Sequence, residues 1–176
     1  MKILVHVCCA VCAGGVIDQI KDKYNITCYF YNPNIHPQEE YERRLLDVYK
    51  HCAKLDISLI HGEYDKNEWL GLVKGLESEP EGGQRCLKCY TMRLEQTAKI
   101  AKDRGFDIFA STLTISPHKK AEIINPIGQK LSEKYGVKFL EADFKKHDGF
   151  KCACDIAKSE NFYRQNYCGC VYSQNT

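Results

Sequence analysis

Short runs of apolar, β-branched and aromatic residues alternate along this chain with stretches whose apolar positions recur every three to four residues. The runs ILVHV (3–7), ITCYFY (26–31), ISLIHG (57–62), FDIFAST (106–112) and VKFLEA (137–142) predict strands. Between them, Gly15–Lys23 predicts a first helix, and residues 38–54 predict a second, with Tyr41, Leu45, Val48, Cys52 and Leu55 at helical spacing. Trp69, Leu72, Val73 and Leu76 mark a shorter third helix. Tyr90, Leu94, Ala98 and Ala101 stripe a fourth that stops at Gly105, and Ile123, Ile127, Leu131 and Tyr135 a fifth that stops at Gly136. Glycine just past the last turn ends a helix because it accepts left-handed backbone. A last helix falls near 150–160.

Strands joined by helices of this length make βαβ crossovers. The pattern therefore predicts an α/β, Rossmann-like doubly wound parallel sheet of about five strands. No repeat or linker interrupts it, so residues 1–176 read as a single domain, with 145–176 as a cysteine-containing C-terminal extension packed on it.

A chain of 176 residues buries about 70% of its unfolded surface and does not need disulfides to fold. The net charge of +2 is too small to prove a nucleic-acid partner. Basic pairs stand at Arg43-Arg44, Lys119-Lys120 and Lys145-Lys146, each read first as a solvated face. The N-terminal MKILVHVCCAVCAGGVI has one lysine and an apolar run broken by His6 and cysteines, which reads as a strand rather than a signal peptide. No stretch approaches the roughly 18 apolar residues of a membrane span. The expectation is a cytoplasmic protein with no membrane partner.

The cysteine usage changes the picture. Eleven cysteines are present, and most are grouped: Cys8, Cys9 and Cys12 after the first strand, Cys86 and Cys89 at the start of the fourth helix, Cys152 and Cys154, and Cys168-Gly169-Cys170. In a reducing compartment such groups are metal ligands or redox catalysts more often than structural bridges. A doubly wound sheet binds ligands beyond the carboxyl ends of its strands. Cys8, Cys9 and Cys12 stand there, where nucleotide-binding relatives of the architecture carry a phosphate loop. No G-x-G-x-x-G, Walker A or Ser-Gly-Gly pattern occurs.

Cys86 and Cys89 share one helical face with Tyr90 and Arg93. A helix N-terminus favours thiolate, and Arg93 is placed to balance its charge. An iron–sulfur cluster, a zinc ion and free thiols all fit this arrangement. Adjacent Cys8-Cys9 suits a cluster better than one tetrahedral ion, because a cluster spreads its ligands over several irons. Cys168-Gly169-Cys170 reads as a reversible redox pair, because its ring is too tight for preferred disulfide geometry, or as two further ligands. Cys28 and Cys52 read as core thiols, His6 as a satisfied core histidine, and Cys152 and Cys154 stay unassigned. Ser111–Lys120 offers hydroxyls, His118 and two lysines to the crevice for phosphate or proton transfer, or is a turn in which Ser116 caps Pro117.

In order along the chain, HVCCAVC, EGGQRCLKCYTMRL, STLTISPHKK, EADFKK and FYRQNYCGCVYS closely resemble the QueH-type, cobalamin-independent epoxyqueuosine reductases. The resemblance covers nearly the whole chain; the Cys152-Ala153-Cys154 doublet is a departure from it. It implies a [4Fe-4S] cluster on Cys8, Cys9, Cys86 and Cys89, one additional iron ion nearby, and a redox-active pair at Cys168 and Cys170. It also implies the last step of queuosine synthesis: two-electron deoxygenation of epoxyqueuosine in tRNA. On that reading Cys12 is the first ligand to test for the additional iron. Protons come from His118, Tyr90 or Asp143, and Lys119, Lys120, Lys145 and Lys146 hold the RNA backbone. The electron donor is unidentified and the oligomeric state open. Two other readings stand beside it: a cluster-dependent tRNA sulfur transferase, disfavoured by the missing phosphate loop, and a non-enzymatic zinc-binding module.

Overall fold

A computed structural model describes residues 1–174. The central strand β1 (Lys2–His6) is fully buried from Ile3 to His6, as its unbroken apolar run requires of a strand covered on both faces. It pairs in parallel with β2 (Asn25–Phe30) on one side and β4 (Ile108–Ser111) on the other. β3 (Ser58–His61) extends the sheet beyond β2, and β5 (Lys138–Phe139) beyond β4. The order β3-β2-β1-β4-β5 is the doubly wound sheet that the hydrophobic pattern predicts. The chain winds outward from β1 to β3, returns to the centre at β4 and winds outward again, so the topology reverses between β1 and β4.

Helices cover both faces. Helices α1 (Ala10–Ile20), α2 (Gln38–Lys54) and α6 (Gly149–Ser159) close a core with Ile3, Val5 and Phe30. On the other face, α4 (Gln84–Asp103) and α5 (Ala121–Tyr135) pack on Leu4 and Phe109. The short α3 (Lys66–Leu72) is capped by Asp65, whose carboxylate accepts from Asn67 N at 2.9 Å and Glu68 N at 3.2 Å.

Several expected boundaries move, for physical reasons. Helix α1 begins at Ala10 rather than Gly15, with Cys9 Sγ accepting from Cys12 N at 3.4 Å as its cap. Gly14 and Gly15 therefore lie inside the helix. A Cβ on Gly15 would meet Ala153 Cβ at 2.5 Å and Ile115 Cδ1 at 2.6 Å, so α6 can sit against α1 only where side chains are missing. β5 is shorter than expected: its pairing with β4 closes as Leu140 N donates to Phe109 O at 2.9 Å, and β4 itself runs only two residues further before the 3-10 turn Thr112–Ile115. Ser111 caps that turn, its Oγ accepting from Leu113 N at 3.2 Å. Ser116 does not cap a helix; its hydroxyl accepts from His118 N at 3.3 Å, and α5 starts only after Lys120. No helix among the described residues is long and apolar enough to cross a membrane.

Candidate metal and redox centre

Beyond the carboxyl ends of β1 and β4, at the topological switch, lies a cavity of about 460 Å³. Cys8 and Cys12 reach it from the β1–α1 junction, Thr112 and His118–Lys119 from the segment after β4, and Arg93 from α4. Cys154 of α6 and the tail segment ending at Cys168 close the far side. A hollow of about 560 Å³ between α3 and α4 has neither thiol nor histidine in its wall, so the chemistry belongs to the switch-point cavity.

The sulfur atoms of Cys8, Cys9 and Cys12 lie within 4.8 Å of one another. The backbone alone accounts for this, since Cys9 caps α1 and Cys12 stands one turn later. Hydrogen bonds from Cys12 and then Cys9 hold the Cys8 thiol well below its ordinary pKa, against the effect of burial and with help from Arg93. Cys12, donating to both neighbours, is pushed well above the ordinary value. The three thus share one favoured thiolate.

Cys86 and Cys89 enter from the first two turns of α4, outside that group of three. Cys86 Sγ accepts from Gly82 N at 3.3 Å. Cys89 is buried beside Trp69, Val73 and Cys170, and burial pushes its thiol up to about 11 although Arg93 acts the other way.

Arg93 is the cation common to these groups. It is 2% exposed; Nη2 donates to Asn32 Oδ1 at 2.8 Å, and Nε lies 3.4 Å from His6 Nε2. Its charge acts on Cys89, Cys8 and Cys168. His6 is the satisfied core histidine that the sequence suggests: Nδ1 lies 3.2 Å from Ser111 Oγ and Nε2 3.0 Å from the Tyr31 carbonyl. Burial, with Arg93 beside it, lowers its pKa to about 3, so it is neutral.

The Cys168-Gly169-Cys170 segment is held by Arg44, which is not part of the solvated face that the Arg43-Arg44 pair suggests. Arg44 is buried on α2, where Nε donates to Glu40 Oε1 at 2.7 Å. Its Nη1 donates to Cys168 O at 3.0 Å and Nη2 to Tyr167 O at 3.2 Å. His36 N donates to Gly169 O at 2.7 Å, and Gly169 adopts φ +116°, open in practice only to glycine. Cys168 faces the cavity while Cys170 turns into the cluster with Trp69 and Cys89.

Lys119 and Lys145 depart from the expected basic rim. Lys119 is buried in the cavity wall, and Lys145 is tied to Asp143 at 2.6 Å, whereas Lys120 and Lys146 are exposed. Burial opposes the Lys119 charge, yet Cys168, Tyr90 and Cys8 hold its pKa above the ordinary lysine value. Tyr90 is buried among the same groups, while Asp143 lies outside the cavity wall. Cys28 and Cys52 are buried core thiols. Cys152 is exposed, but Cys154 lines the cavity, its sulfur 3.6 Å from Arg164 Nη2. Spacing gave no hint of that difference, because only the packing of α6 on α1 decides which of the two turns inward.

The donors gathered here are sulfur, from two helix N-termini, beside a buried arginine. That set fits a soft, thiolate-ligated metal group carrying negative charge. Thiols around several irons stand farther apart than ligands around one ion, so the separation of Cys86 and Cys89 from the group of three is compatible with a cluster.

A family model described as "Epoxyqueuosine reductase QueH" matches residues 3–176. Relatives described by the same words include one from Streptococcus pyogenes, 42% identical over 178 residues, covering 98% of this chain and 70% of the relative. Another, from Haemophilus influenzae, is 42% identical over 174 residues, covering 98% and 71%. One from Thermotoga maritima is 40% identical over 174 residues, covering 97% and 89%. Among solved structures, a protein described as a predicted subunit of a tRNA methyltransferase from Methanocaldococcus jannaschii superposes with a TM-score of 0.60, covering 90% of this chain and 75% of that one. At 12% identity that likeness concerns the fold.

Proposed function

The chain belongs to the epoxyqueuosine reductase QueH family, and on that premise we propose how its switch-point cavity serves the reaction. The protein is an oxidoreductase of queuosine biosynthesis that removes the epoxide oxygen of epoxyqueuosine in tRNA. The reaction takes two electrons and two protons and yields an alkene and water.

The observation that carries the reading is that Cys168 opens into the same cavity as Cys8 and Cys12. The dithiol Cys168/Cys170 supplies both electrons and both protons as it becomes a disulfide, so epoxide plus dithiol balances alkene, water and disulfide. Cys8, Cys9, Cys86 and Cys89 hold a [4Fe-4S] cluster, and Cys12 is a ligand of one additional iron. When bound, the cluster would pass the dithiol's electrons on one at a time, and an iron with an open position would polarise the epoxide oxygen. The protein's own groups do the rest. Arg93 neutralises thiolate charge, Arg44 fixes the backbone of the redox pair, and His118, exposed at the cavity mouth, relays protons between the dithiol and the leaving oxygen. An external donor reduces the disulfide afterwards.

The test is anaerobic incubation of reduced, metal-loaded protein with tRNA bearing epoxyqueuosine, followed by nucleoside mass spectrometry. Conversion to queuosine is expected. Survival of the epoxide overturns the reading.

A further inference from the structure

Lys119 stands apart from its sequence neighbours. Pro117, His118 and Lys120 are exposed, while Lys119 is 9% exposed and faces the cavity. Its loop is pinned at both backbone ends: Lys119 N donates to Ser116 O at 3.2 Å, and Lys145 Nζ donates to Lys119 O at 3.2 Å. Among the described residues it belongs to no ion pair. Among the described residues of the cavity wall the one carboxylate, Glu81, is exposed and forms no ion pair with it.

A buried ammonium without a carboxylate is costly to maintain unless something in the working enzyme uses it. The groups that feel its charge are Cys168, Tyr90 and Cys8; Cys168 is the electron source and Cys8 a metal ligand of the proposed reaction. Two further polar atoms in the same wall lack a partner among the described residues: Thr112 Oγ1 and Gln165 Oε1, both buried. The wall thus offers an epoxide oxygen a hydroxyl donor, Thr112, and a cation beside the redox thiol, while Gln165 Oε1 is placed to accept from a ligand hydroxyl. Lys120 and Lys146, by contrast, stand exposed, where RNA backbone phosphates can reach them without entering the cavity.

We propose that Lys119 is a catalytic residue of the epoxide reduction, its ammonium donating a hydrogen bond to the epoxide oxygen and holding the negative charge that gathers there as the carbon–oxygen bond breaks. The inference rests on the epoxide reduction set out above. It adds no reactant: the two thiol protons of Cys168 and Cys170 end on the departing water, and their two electrons complete the alkene. Thr112 Oγ1 is the second donor available to the same oxygen.

The product lacks the oxygen that Lys119 contacts, and this makes binding diagnostic. Metal-loaded protein with its dithiol oxidised, hence unable to turn over, is titrated with one tRNA species bearing either epoxyqueuosine or queuosine. Wild type is expected to favour the epoxide form by about tenfold or more, as for a hydrogen bond from a charged donor. Lys119→Met is expected to bind both forms alike, with affinity for queuosine-tRNA unchanged and iron content intact. In turnover its kcat falls about 10²–10³-fold, the effect of losing one oxyanion donor, with little change in KM. Lys119→Arg recovers part of both the preference and kcat.

Equal weakening toward both tRNAs makes Lys119 a backbone contact and overturns the proposal. A retained wild-type preference overturns it, as does loss of iron from Lys119→Met, which assigns the residue to the metal site. Should that variant not fold, Lys119→Gln carries the same comparison. Failure of wild type to reduce the epoxide sinks the functional reading itself, whereas a reducing wild type whose variants keep the preference sinks only this inference.

Discussion

Arg44 shows how one side chain links fold to chemistry. Its guanidinium pairs with Glu40 through Nε and uses its two terminal nitrogens to hold the carbonyls of Tyr167 and Cys168. Lysine has no such fork. Arg44→Met leaves the buried Glu40 carboxylate without its cation, a loss of about 3–5 kcal/mol for a buried pair broken on one side. The expected outcome is a lower urea midpoint and lost turnover with iron retained, read by denaturation and metal analysis; unchanged multiple turnover would separate Arg44 from the redox pair. Cys86 is predicted to behave in the opposite way. Cys86→Ala should fold but lose most iron and acid-labile sulfide, and full cluster content in that variant removes it from the ligand set. Arg44 was legible in principle, since it lies three residues after Tyr41 and four before Val48 on the apolar stripe of 38–54. Reading it as half of a basic pair hid that position. Lys119 was not legible, because turn geometry alone decides which of two adjacent lysines faces inward.

At the scale of elements, α1 and α6 meet through missing side chains. Gly15→Ala drives a methyl into Ala153 and Ile115, and overpacking of this kind costs about 1–3 kcal/mol. A reduced urea midpoint with loosened α6, seen as faster amide exchange over residues 149–159, is expected. Gly71→Ala is the control: nothing lies within 4 Å of the added carbon on exposed helix α3, so alanine should raise stability by up to about 1 kcal/mol. Equal effects of the two substitutions would refute the packing account. The same contact explains which elements the hydrophobic pattern revealed. All five strands of the doubly wound sheet fall on short apolar runs between helical stripes, and the central strands β1 and β4 show it most clearly because they are covered on both faces. The start of α1 is not marked in this way, because Gly14 and Gly15 weaken helix propensity and only the neighbouring helix explains them. Likewise, periodicity cannot see that β4 ends in a 3-10 turn and leaves the residues after β5 unpaired with it.

For the whole molecule, a net charge of +2 gives little general attraction for RNA, so binding to backbone phosphates depends on local placement. Lys145 bridges to the Lys119 carbonyl, which brings the two basic loops together at the cavity mouth. Of their four lysines only Lys120 and Lys146 are exposed. Neutralising both should shallow the log–log salt dependence of tRNA binding by about 1.4–1.8, at 0.7–0.9 per phosphate; an unchanged slope would move the RNA to another face. The central claim is that the fold gathers separate thiol groups at one topological switch so that a dithiol reduces an epoxide held beside a metal group. It is tested most directly by one stoichiometric measurement. Metal-loaded protein is reduced, freed of external reductant, and mixed anaerobically with excess tRNA bearing epoxyqueuosine; queuosine formed and Cys168–Cys170 disulfide formed are then counted together. The account predicts one queuosine and one such disulfide per active chain. Persistence of the epoxide, or product formed while both thiols stay reduced, would contradict it.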